Sequence, residues 1–253
     1  MKKVLLASAA VVASGAALAA DLPTKAPLPA RVAPFSWSGC YIGVHAGAGW
    51  SPTDFGDAPG FSFIAPVGQV VEVDSGTSFV GGGQVGCDYQ FASNWVIGLA
   101  GDFSWADIDG QAVDPFFAGK TVGVPLTVHS RTDFLASATG RLGYAWDRYL
   151  IYAKGGVAWS HNKYDVNNFN CFIFVSCYSN ASDTSVGWTA GAGFEWSFAP
   201  NWSVLFEYAH YEFGTNSLTF TDPSNGRSNI FTVNTDIDVV KMGVNYRFGG
   251  LLR

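Results

Sequence analysis

Few of the residues capable of chemistry in this chain stand where chemistry would need them. There are four histidines. His129-Ser130 and Ser160-His161 each place a base beside a hydroxyl, but neighbours on a strand point to opposite faces, so neither pair makes an activated nucleophile. His45 stands between glycine-rich positions and His210 falls on an apolar face. A lipid hydrolase of the Ser/His/Asp kind is therefore a minor alternative. No catalytic residue is assigned, and the expectation is that the protein is not an enzyme. Cys171 and Cys177, separated by five residues, have neither histidines nor a second cysteine pair nearby, which is not metal-ligand spacing. No metal and no cofactor is expected. Gly81-Gly82-Gly83 lacks the lysine and helix of a phosphate loop, and there is no basic patch to hold nucleic acid.

What remains is a sparse set of charges, among them Asp102, Arg141, Lys154, Glu195, Glu207 and Lys241, and whether they meet depends on the elements that carry them. Those elements alternate with a period of two. In Cys40–Trp50 one face carries Ile42, Val44, Ala46, Ala48 and Trp50, and the other Tyr41, Gly43, His45, Gly47 and Gly49. Seven further segments follow the same rule, at about 79–91, 95–107, 131–146, 149–161, 186–198, 202–214 and 236–248. The charges sit on the glycine-rich face. Connections of two or three residues (Ala92-Ser93-Asn94, Asp147-Arg148, Ala199-Pro200-Asn201) alternate with long ones of roughly 28 (51–78), 23 (108–130), 24 (162–185) and 21 (215–235) residues. Strands near the roughly 9–11 residues that cross a bilayer when tilted, with short turns at one end and long loops at the other, predict an all-β fold. It is an eight-stranded antiparallel up-and-down transmembrane β-barrel. Trp50, Trp95, Trp105, Trp146, Tyr149, Trp159, Trp188, Trp196, Trp202 and Tyr246 lie at segment ends and predict two aromatic girdles.

Counting back from the two-residue turn at Asp147-Arg148 sets Arg141 opposite Lys154, both inward. Like charges so placed require carboxylates between them. Asp102, Glu195 and Glu207 supply these at similar depth, with Lys241 as a third base. The expectation is a charge-balanced plug across the lumen with Arg141 as its most connected member. Four cysteines past a leader meet oxidising conditions. Cys171–Cys177 can meet across a hairpin, and Cys40–Cys87 join adjacent strands on the outward parity, so two disulfides are expected.

Composition agrees with a membrane barrel. Of 253 residues 48% are hydrophobic and 15% aromatic but only 13% charged, about half the usual share for a soluble domain. Thirty glycines and twenty phenylalanines against two methionines suit strands and turns. Net charge is −6. Lys2 and Lys3, the apolar stretch Val4–Leu18 and small residues to Ala20 read as a signal peptide over 1–20. Residues 21–36, with four prolines, read as an extended periplasmic linker before a barrel over 37–248. Loop one carries Asp54, Asp57, Glu72 and Asp74 without Lys or Arg. Loop three carries Phe169, Phe172, Phe174 and Tyr178. The two function classes left open are a structural and surface-interaction barrel, favoured, and a narrow channel for ions or small solutes. A barrel of eight strands has an interior just filled by its side chains, which favours the first.

The runs WSGCYIGVHAGAGW, NWVIGLAGDFSW, GRLGYAWDRYLIYAKGGVAW, VGWTAGAGFEW with NWSVLFEY, and VKMGVNYRF resemble the small outer-membrane β-barrel proteins of alphaproteobacteria known as the porin family, or opacity-like surface antigens. The resemblance spans about 37–248. It implies the cell outer membrane as location and lipid and lipopolysaccharide as surroundings. It also implies the barrel-assembly machinery as partner in biogenesis, and an extracellular ligand for the loops. The chain departs from the pattern in its four cysteines and in Gly249–Arg253, an extension past the usual terminal phenylalanine.

Overall fold

Alternating apolar and small residues can satisfy one lipid-facing and one lumen-facing surface only by pairing side by side, and the computed structural model shows that pairing carried into a closed ring. It describes residues 35–57, 70–74, 76–91, 94–113, 127–168, 177–221 and 228–248, among which there are no helices. The strands are β1 (Gly39–Trp50), β2 (Pro52–Asp57), β3 (Val70–Asp74), β4 (Ser78–Phe91), β5 (Trp95–Val113), β6 (Thr127–Trp146), β7 (Tyr149–Asn168), β8 (Cys177–Ala199), β9 (Trp202–Thr221) and β10 (Ser228–Phe248). Eight of them, β1 and β4 to β10, form an antiparallel barrel in which β10 returns to pair with β1. One row of paired residues runs Gly39, Asp88, Gly98, Arg141, Lys154, Gly191, Ala209 and Val239, and re-enters β1 at Gly49, ten residues beyond its start. That stagger tilts the strands by about 35–45° and fixes the width of the barrel.

The turns at the narrow end are tied down by side chains. Asp147 takes a left-handed φ of 54°, which the two-residue turn between β6 and β7 requires and aspartate tolerates. Asn94 accepts a bond from the Ala145 amide and donates one to the Ala145 carbonyl. Asn201 bonds Arg247 in the same two ways.

The outward face is apolar to a degree water does not permit. Leu99 is 73% exposed, Phe79 and Trp105 68%, and Val44 66%. Side chains of this size, exposed on each of the eight barrel strands, are stable only against lipid. Aromatic contacts ring the narrow end, with Trp95 edge-on to Tyr144, Trp146 beside Tyr149, and Trp202 edge-on to Tyr246. Phe103, Trp105 and Phe134 cluster at the other interface. Cys40 and Cys87 are register partners on β1 and β4 and form a disulfide on the outward parity.

The wide end differs from the expectation in extent. β5 to β10 continue well past the membrane, so β6 and β7 reach Thr127 and Asn168 and leave connections of 114–126, 169–176 and 222–227. Paired strands satisfy their backbone above the membrane as well as within it, whereas the alternation that marks a strand in sequence fades once neither face meets lipid. The expected loop one contains the β2–β3 hairpin, with β2 paired to the upper part of β10. Phe35, near the end of the expected linker, packs edge-on against Trp37. The expected leader, residues 21–34 of the linker, Cys171 and the 249–253 extension lie outside the described residues, as does the side chain of Cys177.

Two outcomes follow from this architecture. The purified protein left unboiled in SDS is expected to migrate differently from the boiled form, because a closed ring has no edge from which to unzip; a β-rich protein freely soluble without detergent would contradict it. Peptide mapping under non-reducing conditions is expected to recover Cys40 linked to Cys87, and replacing both by Ser should destabilise the barrel by about 2–4 kcal/mol; free-thiol labelling of both would contradict the pairing.

Candidate functional site

The lumen gathers the charges that the sequence spreads over seven strands. They form two squares, each with two cations and two carboxylates, in which every cation meets both acids. In the square nearer the narrow end, Arg141 and Arg247 hold Asp88 and Glu195. Arg141 grips Asp88 through both Nε, at 2.6 Å, and Nη2, and reaches Glu195 at 3.4 Å. Arg247 lies 2.7 Å from Asp88 and 3.5 Å from Glu195. In the second square Lys154 lies 2.7 Å from Glu207 and 3.2 Å from Asp102, and Lys241 lies 3.0 Å and 3.5 Å from the same two. All eight side chains are buried. Four positive and four negative charges cancel, which is the condition for burying them at all.

The register explains why Arg141 and Lys154, direct cross-strand partners, do not repel one another across the sheet. They turn toward different squares, and Tyr152 stands between. Its ring lies 4.9 Å from the Arg141 guanidinium carbon and its hydroxyl donates to Glu207 at 2.8 Å. Tyr41 covers Arg141 from another side at 4.7 Å and also flanks Arg247 at 5.1 Å. Such contacts are attractive by about 2 kcal/mol or more when desolvated.

Glycine makes the room. A Cβ at Gly98 would stand 2.1 Å from the Asp88 carboxylate, one at Gly43 2.0 Å from the Asn245 side chain, and one at Gly193 2.4 Å from the Tyr152 ring. Each large inward side chain thus lies across an inward glycine on the next strand. From Glu195 a chain of bonds continues upward: Asn245 donates to Glu195, Gln84 donates to Asn245, and His45 bonds Gln84 at 3.0 Å and Ser104 at 2.7 Å. His45 and Ser104 are the base and hydroxyl that come together here, and both are buried, with Gln84 rather than a carboxylate orienting the imidazole.

Apolar layers close the lumen on both sides of the squares. Below, Trp37 is fully buried with Val96, Ala145, Leu150 and Tyr152; its indole donates to the Asp147 carbonyl, and its own carbonyl accepts from Arg247 at 2.7 Å. Above, Leu135, Ile108, Tyr211, Phe213, Ile237 and Val239 pack together. Between them lies a cavity of about 20 Å³, lined by Asp102, Arg141, Lys154, Glu207 and Lys241 among others.

Of the six expected network residues, all are brought into these squares, but sequence reasoning omitted Asp88 and Arg247. Both have the inward parity; depth was the missing information, because the ten-residue stagger raises each strand relative to the last. Arg141 is not the most connected member: Arg247 meets the same two acids and also the carbonyls of Trp37 and Gly39. Above the girdle the outward face becomes charged. Arg131 lies 2.7 Å from Asp107 and 3.2 Å from Asp133, and Lys163 lies 2.5 Å from Asp133. The bond from Lys163 holds the Asp133 carboxyl below its ordinary range. His210 bonds Asp238, which also accepts from Tyr208, at the outer rim of β9 and β10. His161 stacks on Phe134 while Ser160 faces inward, so that pair is divided between two faces.

Comparison with known proteins places this architecture. The family described as outer membrane protein beta-barrel domain matches residues 5–248. The chain is 32% identical to the 31 kDa outer-membrane immunogenic protein of Brucella melitensis, over 98% of this chain and all of that protein. It is 27% identical to the 25 kDa outer-membrane immunogenic protein of Brucella abortus, over 98% of this chain and 99% of that one. Among solved structures it is similar to OprG of Pseudomonas aeruginosa, with a TM-score of 0.49, 13% identity and coverage of 83% of this chain and 97% of that one. With a family match over nearly its whole length, an alternating ring closed in lipid and relatives named for the outer membrane, the chain belongs to the outer membrane protein beta-barrel domain family and is a protein of the outer membrane.

Proposed function

We propose that this protein is a closed, non-catalytic barrel with a structural role in the outer membrane, and that its working surface is the collar of strands and loops on the extracellular side. The observation that carries this reading is the lumen, where two neutral squares of buried charge are stacked between Trp37 and an apolar layer. An ion crossing it would have to separate pairs held in low dielectric, where breaking a buried pair costs about 3–5 kcal/mol. The Ser104–His45 contact supports no hydrolase, since both groups are buried within the wall of the same network. Relatives named as immunogenic support display of the collar outward. Outer-leaflet lipid and lipopolysaccharide are the surroundings this reading assigns to the outward face, with the barrel-assembly machinery as partner during insertion.

The channel alternative is tested by the same residues. In planar bilayers the wild-type protein is expected to show little or no steady conductance. Replacing Glu207 by Gln leaves Lys154 and Lys241 to share Asp102 alone. It is expected to lower stability by about 3–5 kcal/mol, read as a lower temperature for conversion of the unboiled band, with conductance still small. Adding Lys154→Met restores charge balance and should recover part of the loss. A substitution that changes ion selectivity and leaves stability untouched would replace the plug with a pore.

A further inference from the structure

The lipid-facing wall of the barrel is not evenly filled. Across β4 to β7, in the half of the membrane nearer the short turns, a groove of about 750 Å³ opens outward. Two rows of register partners explain it. Leu99, Gly140 and Gly155 stand side by side in one row, and Leu142 and Ala153 in the next. Gly140, Gly155 and Ala153, all exposed, form the floor. Leu99, Leu142 and Tyr89, exposed as well, rise around it as a rim. A Cβ at Gly140 would meet nothing within 4 Å beyond its chain neighbours, so the floor is open rather than packed.

The same place is where the wall is thinnest. Gly140 and Gly155 adjoin Arg141 and Lys154 in the chain, whose side chains turn inward to the two squares. One layer of backbone there separates buried charge from the outside, with no outward side chain to cover it. In depth the groove lies inside the girdle of the narrow end. Four residues further along β6 and β7, about 13 Å at the rise of a strand, Trp146 and Tyr149 face one another and the turn between them carries Arg148. Among the described residues Arg148 is in no ion pair; its guanidinium carbon lies 5.9 Å from the centre of the Phe35 ring.

We propose that this groove holds one acyl chain of a phospholipid from the periplasmic leaflet, with the lipid phosphate at the level of Arg148. The groove is continuous with the lipid-facing surface and lies on the hydrocarbon side of the girdle, so a hydrocarbon chain is what reaches it. Its volume falls in the range of about 300–1,000 Å³ common to small-ligand sites. Arg148, at headgroup depth on the turn that joins β6 to β7, is complementary to an anionic phosphate. A second copy of this chain is a poor occupant. Its wall is convex and rigid, so it would rest on the rim of Leu99, Leu142 and Tyr89 and forfeit contact with the floor, whereas a flexible chain can follow the floor. A lipid so placed covers the thin stretch of wall behind which both squares sit. Whether the lumen conducts does not bear on this site.

The test uses the whole barrel protein in detergent micelles with added phosphatidylglycerol, read by native mass spectrometry as rising collisional activation strips bound lipid. One phospholipid is expected to stay on the barrel after the others have left. Gly140→Phe, whose Cβ has open room, fills the groove and is expected to lose that retained lipid while its unboiled band in SDS is unchanged. Ala46→Phe, exposed on β1 away from the groove, is expected to keep it. Arg148→Gln should lower the retained fraction severalfold. Three results would overturn the proposal: loss of lipid in even steps down to none, equal retention by Gly140→Phe, or equal retention by Arg148→Gln. A wild-type dimer that Gly140→Phe dissociates would overturn it too, because the groove would then hold a second copy.

Discussion

A strand in lipid has no water to satisfy its backbone, so its amides and carbonyls must all find partners on adjacent strands, and that requirement shapes the rest of this molecule. With eight strands the only arrangement free of edges is a ring. The ten-residue stagger with which this ring closes sets its tilt and its width. Width then dictates content. An interior this narrow holds side chains and little else, so large inward residues such as Tyr41, Tyr152 and Arg141 need glycines across from them, and the glycine-rich face of each strand follows from the radius.

Within that interior the charges are arranged by pairs. Each acid is shared by two cations and each cation by two acids, so that loss of any one leaves a buried charge uncompensated. The squares draw on β4 to β10 and leave only β2 and β3 of the collar, and β1 of the barrel, without a member. β1 contributes Tyr41 and His45 instead, which cover Arg141 and join the polar chain through Gln84. Neutral, many-partnered networks of this kind specify one register, because a slip of one residue would send every member to the lipid face.

The collar obeys different physics. Outside lipid a backbone group can be satisfied by water, and the β4–β5 ladder ends at Val80 and Ala106, near the start of β4. The outward face there turns from Phe103, Trp105 and Phe134 to Asp107, Arg131, Asp133 and Lys163.

Sequence alone determined the parity of the residues within the membrane. Period-two alternation assigns Ile42, Leu99 and Trp105 outward and Tyr41, Asp102 and Arg141 inward, because a strand admits two faces and lipid accepts one kind of residue. It also determined the Arg141–Lys154 pairing, since a two-residue turn transmits register without ambiguity. It did not determine depth. Asp88 and Arg247 stand 159 residues apart in the chain and meet at 2.7 Å only because the staggered ring brings β10 round to β1 and β4. Nor did it determine the collar, where strands outlast their alternation and β2–β3 form inside what reads as a loop. Local pattern records which face a residue takes; only closure of the ring decides which residues share a level, because that depends on a sum of registers over every strand.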